Sequence, residues 1–128
     1  MMQLSTIRAL LDCNVFAGEE RIHNTQIQFG CAADLMSDVL AFSRAGAVLM
    51  TGLVNTQTVQ TALIAEISAI ILVRGKRPTK NIIALADEKH IPLLGTRYSM
   101  YESCGILYAK GLPSTMEKVT AGEHHVQQ

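Results

Sequence analysis

The run Ala69-Ile70-Ile71-Leu72-Val73 constrains this chain most: it is apolar throughout, carries no charge, and is β-branched at Ile70, Ile71 and Val73. It is far short of the roughly 20 residues that cross a bilayer. Its length and β-branching suit a strand, and its unbroken apolarity suits a strand covered on both faces, the environment of a parallel sheet. Parallel strands need crossover connections, usually helical. The flanking sequence must therefore supply amphipathic helices on either side of the run.

It does. Leu4, Ile7, Leu10 and Leu11 share one helical face and predict a first helix ending near Asp12. Cys13 to Ala17 reads as a short strand closed by Gly18, Glu19 to Gln26 as a loop or hairpin, and Ile27 to Ala32 as a strand in which Gly30 admits a bulge or a close backbone approach. Asp34 is placed to N-cap a helix carrying Leu35, Met36, Val39, Leu40 and Phe42, with Gly46 as its stop. Ala47 to Met50 is a further apolar strand. Asn55 or Thr56 can cap a helix carrying Val59, Ala62 and Leu63, with Glu66 in its last turn. Pro78 suits the first position of the next helix, where its missing N–H costs nothing, and Ile82, Ile83 and Ala86 form that helix's buried stripe. Pro92-Leu93-Leu94 reads as the last strand, with the proline marking an edge or a strand start. Ser99-Met100-Tyr101-Glu102 has the pattern of a capping box, Cys104, Leu107 and Tyr108 continue the apolar face, and Gly111 and Pro113 end the helix. From Ile27 onward the order is β-α-β-α-β-α-β-α, which predicts an α/β fold with right-handed crossovers and helices on the sheet faces. The reading is one domain over residues 1–112, followed by a flexible, frayed tail over 113–128.

A chain of 128 residues fits one domain. A hydrophobic content of 48% with 17% charged residues excludes a disordered chain. Eleven basic residues balance eleven acidic ones, so no general cationic field exists to hold nucleic acid or an anionic membrane. Trp is absent and aromatics are 5%, which argues against a base-stacking platform for a nucleic-acid strand. Cys13, Cys31 and Cys104 are few, odd in number and far apart, as expected of a reducing, cytoplasmic compartment, and the N-terminus lacks the basic and apolar regions of a signal peptide. The high apolar content, with six Met, predicts a homodimer in which a second copy covers part of the surface.

Ligands of open α/β sheets bind outside the carboxyl ends of the strands, where helix N-termini favour anions. In this chain that edge carries Ala33 to Leu35, Thr51 to Thr56, Arg74 to Lys80 and Gly95 to Ser99. The Arg74–Lys80 segment reads as a cradle for phosphate or another anion, with Gly75 permitting backbone approach and Arg74, Lys76 and Arg77 supplying charge; a solvated turn explains the same residues. The candidate ligand contacts are Gly52, Asn55, Thr56, Arg74, Lys76 and Arg97, and the ligand class is a small anion such as a nucleotide. No P-loop, dinucleotide-binding fingerprint or nucleophile elbow is present. Asp34 and Asp38 lie one helical turn apart, but two carboxylates are an incomplete metal site, and Ser99 is already employed as a cap. His23 and His90 are isolated, His124-His125 falls in the tail, and Cys31 and Cys104 lie on apolar segments that favour buried, inert thiols. No catalytic residue, metal or cofactor is assigned.

Four blocks in order carry a family resemblance: Phe29 to Leu40, Met50 to Val59, Ile70 to Lys76, and Leu94 to Glu102. Together they resemble the DRTGG domain family over about Leu4 to Leu112. The resemblance implies a three-layer α/β fold, a mostly parallel sheet with helices on both faces, similar to the N-terminal domain of bacterial HPr kinase/phosphorylase and the first domain of a peptidoglycan ligase. Family domains also sit beside CBS domains in regulated pyrophosphatases and in phosphate acetyltransferases, as regulatory or assembly modules. The catalytic domain of the HPr enzyme has no counterpart in this chain, so its activity does not transfer. The letters Asp-Arg-Thr-Gly-Gly are absent, and the corresponding stretch is Glu20 to Gly30. The function implied is a non-catalytic regulatory or scaffolding module; the alternative is a protein-interaction adaptor without a small-molecule site. A third class is an enzyme using Asp34, Asp38 or Ser99, none of which has the partner that acid–base or nucleophilic work requires.

Overall fold

A computed structural model describes residues 1–116 of the chain. The elements are β1 (Met2–Gln3), α1 (Leu4–Leu11), β2 (Asn14–Ala17), β3 (Gln26–Ile27), β4 (Phe29–Ala32), α2 (Met36–Phe42), β5 (Ala47–Thr51), α3 (Thr56–Ile64), β6 (Ala69–Leu72), α4 (Lys80–Glu88), β7 (Leu93–Gly95) and α5 (Met100–Ala109), with a 3-10 turn at Glu19–Arg21. The uncharged run forms β6 through Leu72 and continues into Val73, and every residue of it is buried. Strands β4, β5, β6 and β7 pair in parallel, and β2 joins β7 antiparallel, giving a five-stranded sheet ordered β2-β7-β6-β5-β4.

The parallel strands lie side by side in sequence order, so successive crossovers of one hand bring α2, α3 and α4 to the same face. There Val39, Val59, Ala62, Ile82 and Ala86 pack with Leu49, Ile70, Leu72 and Leu93. Helices α1 and α5 cover the other face, where Leu4, Ile7, Leu11 and Leu107 meet Val48, Met50, Ile71, Val73 and Leu94. Neighbours along β5 and β6 alternate between these two clusters, the period of a pleated strand. The result is a three-layer α/β fold with helices on both faces of a mostly parallel sheet.

Local details depart from the sequence reading. The expected strand over Ile27 to Ala32 is two strands: β3 pairs antiparallel with β1, and β4 begins after Gln28 in the main sheet. Pro92 marks a strand start and not an edge, because β7 lies between β6 and β2. Helix α4 begins beyond Pro78, with Thr79 as N-cap accepting from the Ile82 N–H at 3.3 Å. Helix α2 is capped by the backbone of Leu35 without a side-chain bond, so Asp34 does not cap it. It ends at Ser43, and Gly46, at φ +90°, serves the turn into β5 instead. On α2, Met36 and Val39 are buried, whereas Leu35, Leu40 and Phe42 of the expected apolar face are exposed. Asn55 does cap α3, accepting from the Thr58 N–H at 3.0 Å.

Past Leu112 the chain runs beside β4. The Gly30 N–H donates to the Pro113 carbonyl at 2.8 Å, the Thr115 N–H donates to the Gly30 carbonyl at 3.2 Å, and Thr115 is buried. A Cβ on Gly30 would lie 3.4 Å from Leu112 Cδ2, the close approach that a glycine in this strand suggests. The remainder of the expected tail, with His124-His125, lies outside the described residues.

Candidate functional site

Because β4 to β7 are parallel, the loops after them emerge along one edge, and contacts join each loop to the next. Asp34 Oδ1 accepts from the Thr51 hydroxyl at 3.0 Å and from the Gly52 N–H at 2.7 Å, linking the loops after β4 and β5. Arg74 Nη2 comes within 2.9 Å of where a Cβ on Gly52 would stand, linking the loops after β5 and β6. The Arg74 N–H donates to the Tyr98 carbonyl and the Gly75 N–H to the Thr96 carbonyl, both at 2.8 Å, linking the loops after β6 and β7. Arg74 and Gly75 are both left-handed, at φ 60° and 69°. That conformation is unfavourable for a residue with a Cβ, and the two short bonds to the β7 loop hold Arg74 in it.

The rim is anchored from below by Thr96. Its buried hydroxyl donates to the Leu11 carbonyl at 2.7 Å and accepts from the Tyr98 N–H at 3.2 Å, tying the end of α1 to the loop after β7. The next turn is fixed by the capping box: the Glu102 N–H donates to Ser99 Oγ at 3.1 Å, and the Ser99 N–H donates to Glu102 Oε1 at 3.4 Å.

Between β2 and the loops after β6 and β7 these restraints leave a cleft of about 760 Å³, within the usual range of small-molecule sites. Lys76, Arg77 and Arg97 line it, together with the carboxylates of Asp12 and Glu102. Among the described residues none of the three cations forms an ion pair with a carboxylate. Phe16 and Tyr98 supply aromatic surface. The Phe16 ring occupies the space above Gly95, where a Cβ would stand 2.7 Å from its Cε2, and the Arg77 guanidinium lies over the ring at 5.4 Å from the centroid.

The six candidate contacts thus fall at three places along the rim. Lys76 and Arg97 share the cleft. Gly52 and Arg74 meet each other beside Asp34. Asn55 is engaged by Thr58 in capping α3, and Thr56 is exposed in the first turn of that helix. Asp12, Asn14, Phe16, Tyr98 and Glu102 line the cleft without having been singled out as contacts. For Phe16 no signal was available, because it reaches the cleft through the antiparallel pairing of β2 with β7, a contact between distant segments.

Other candidates have structural duties. The Ser99 hydroxyl donates to Glu102 Oε1 at 3.1 Å within its capping box. Among the described residues no group of three His, Cys, Asp or Glu side chains is placed to hold a metal. His23 is exposed, and His90, at φ 59°, ends α4. Cys13 is buried, and that burial, reinforced by the Asp12 carboxylate, pushes its thiol up to about 12. Cys31 and Cys104 line a second, more apolar cavity of about 380 Å³ between β4 and α5, and burial raises both thiols.

The profile of the DRTGG domain matches residues 6–109, from within α1 to the last residue of α5, and so includes every residue named in the cleft. The chain belongs to the DRTGG domain family. Among solved structures, this DRTGG domain is similar to the CBS and DRTGG domains of the regulatory region of Clostridium perfringens pyrophosphatase, crystallised with the activator diadenosine tetraphosphate. The TM-score is 0.68 at 20% sequence identity, and the match covers 94% of this chain and 53% of that one. The chain therefore spans about half the length of that structure, and the likeness speaks to the fold. No curated protein matches it in sequence. Among the described residues no helix is long and apolar enough to cross a membrane.

Proposed function

We propose that this DRTGG domain is a non-catalytic regulatory or scaffolding module of the cytoplasm that binds a small anionic ligand at the C-terminal rim of its sheet. The observation that carries this reading is the cleft holding Lys76, Arg77 and Arg97, none of which forms an ion pair among the described residues. Cations so gathered favour a ligand with several anionic oxygens, and guanidinium groups bind such oxygens in pairs. Lys76 and Arg97 are the direct contacts; Arg74 over Gly52, and beyond them Asn55 and Thr56, extend the same edge. The similarity to a regulatory region crystallised with a nucleotide activator supports the reading.

Thermal unfolding in the presence of nucleotides and sugar phosphates tests it. A ligand at 100 times its Kd adds about 2.7 kcal/mol to stability, a rise of several degrees in Tm for a domain of this size. Lys76→Glu with Arg97→Glu is expected to abolish the rise. If no anion shifts Tm, the ligand-binding reading fails. If the same charge reversals then disrupt a protein complex, the chain is an interaction adaptor.

A separate observation favours self-association. Leu40 and Phe42 of α2 and Leu63 and Ile64 of α3 are exposed on helices that pack side by side and carry, within their spans, the single charge of Asp38. Apolar surface of this kind is commonly covered by a second copy. Light scattering at high concentration is expected to show a dimer; a species of 13.9 kDa alone overturns the proposal.

A further inference from the structure

We infer that the ligand of the cleft is a ribonucleotide, with its base stacked on Phe16 and its phosphates on Lys76, Arg77 and Arg97. The inference rests on the anion-binding reading and names the class of anion.

An inorganic anion would need only the cations. This cleft also presents two carboxylates, which repel a bare anion, and an aromatic ring, which contributes nothing to one. The Asp12 carboxylate makes no hydrogen bond or ion pair among the described residues, and the Asn14 side chain lines the same wall. A carboxylate accepts from sugar hydroxyls, and a carboxamide both donates and accepts, as the edge of a base requires. A ligand bearing phosphate, hydroxyl groups and a planar heterocycle uses all of these; a sugar phosphate leaves the ring unused.

The ring is placed for stacking. Gly95 lies in a fully buried strand, where glycine ordinarily weakens pairing, and the space its missing Cβ leaves is filled by the edge of Phe16. The ring therefore rests against the strand backbone at the cleft wall. The Arg77 guanidinium, a planar group without a carboxylate partner among the described residues, stands over it. A base takes that place over the ring, and the guanidinium turns to the phosphates.

Calorimetric titration of the full chain with ATP, ribose 5-phosphate and tripolyphosphate tests the inference. ATP and tripolyphosphate carry the same number of phosphates and differ by the nucleoside. ATP is expected to bind roughly 5- to 150-fold more tightly, the range that stacking on an aromatic side chain supplies. Phe16→Leu is expected to erase that preference and leave tripolyphosphate affinity unchanged, whereas Lys76→Ala weakens both. Should Phe16→Leu not fold, nuclear Overhauser contacts from adenine H2 or H8 to the Phe16 ring in the unaltered protein report the same geometry. Equal affinity for ATP and tripolyphosphate, ribose 5-phosphate binding as tightly as ATP, or adenine contacts absent from Phe16 overturns the inference and leaves the anion reading standing. Failure of all three ligands to bind overturns both.

Discussion

The carboxylate of Asp34 accepts a 2.7 Å hydrogen bond from the backbone N–H of Gly52, joining the loops that follow two adjacent parallel strands. The same oxygen receives the Thr51 hydroxyl, which in turn accepts from the Leu53 N–H at 3.1 Å. A residue expected to start a helix thus organises the neighbouring loop.

Asp34→Ala is expected to lower stability by about 1.5–3 kcal/mol, the contribution of hydrogen bonds to a charged acceptor. Asp38→Ala, on the exposed side of α2, should stay within about 0.5 kcal/mol of the parent. Urea unfolding of the two variants separates them, and equal effects would contradict the role given to Asp34.

Gly95→Ala places a Cβ 2.7 Å from Phe16 Cε2 in a buried strand. Overpacking of this kind costs about 1–3 kcal/mol. In combination with Phe16→Ala the clash is gone, so a double-mutant cycle should show clear coupling between the two positions. Additive effects would place the Phe16 ring elsewhere.

Removing the Ser99 hydroxyl leaves the Glu102 N–H without its side-chain acceptor. Ser99→Ala is expected to cost about 1 kcal/mol, as loss of an N-cap does, and Ser99→Asp to restore most of it. If Ser99→Ala abolished ligand binding at unchanged stability, the residue would belong to the site and not to the scaffold.

The thiol of Cys13 sits at about 12 in the folded chain against 9.0 unperturbed, chiefly through burial. The folded state therefore holds its proton where the unfolded state releases it. Its contribution is fully present below pH 9, and stability declines as pH rises from 9.0 towards about 12. Cys13→Ala should flatten that alkaline decline in unfolding experiments, and Cys13 should resist alkylation at pH 8 until the chain unfolds. Rapid labelling of the native protein at Cys13 would refute its burial.

The sequence by itself determined the β-α alternation of the parallel strands, the buried central strand, a cap at Asn55 or Thr56, the cap of Ser99, and the gathering of the loops on one edge. These follow from short-range rules: apolar periodicity, cap chemistry and the constraint that parallel strands impose on their connections. What lay beyond it is what distant segments do to one another. The two-residue pairing of β1 with β3, the diversion of Asp34 from cap to loop anchor, the passage of Pro113 to Thr115 beside β4 and the arrival of Phe16 over Gly95 all join residues far apart in the chain. Local propensity holds no record of such contacts. Only the packed sheet decided them, because each forms when closing a long loop is offset by burial that exists in the assembled structure alone.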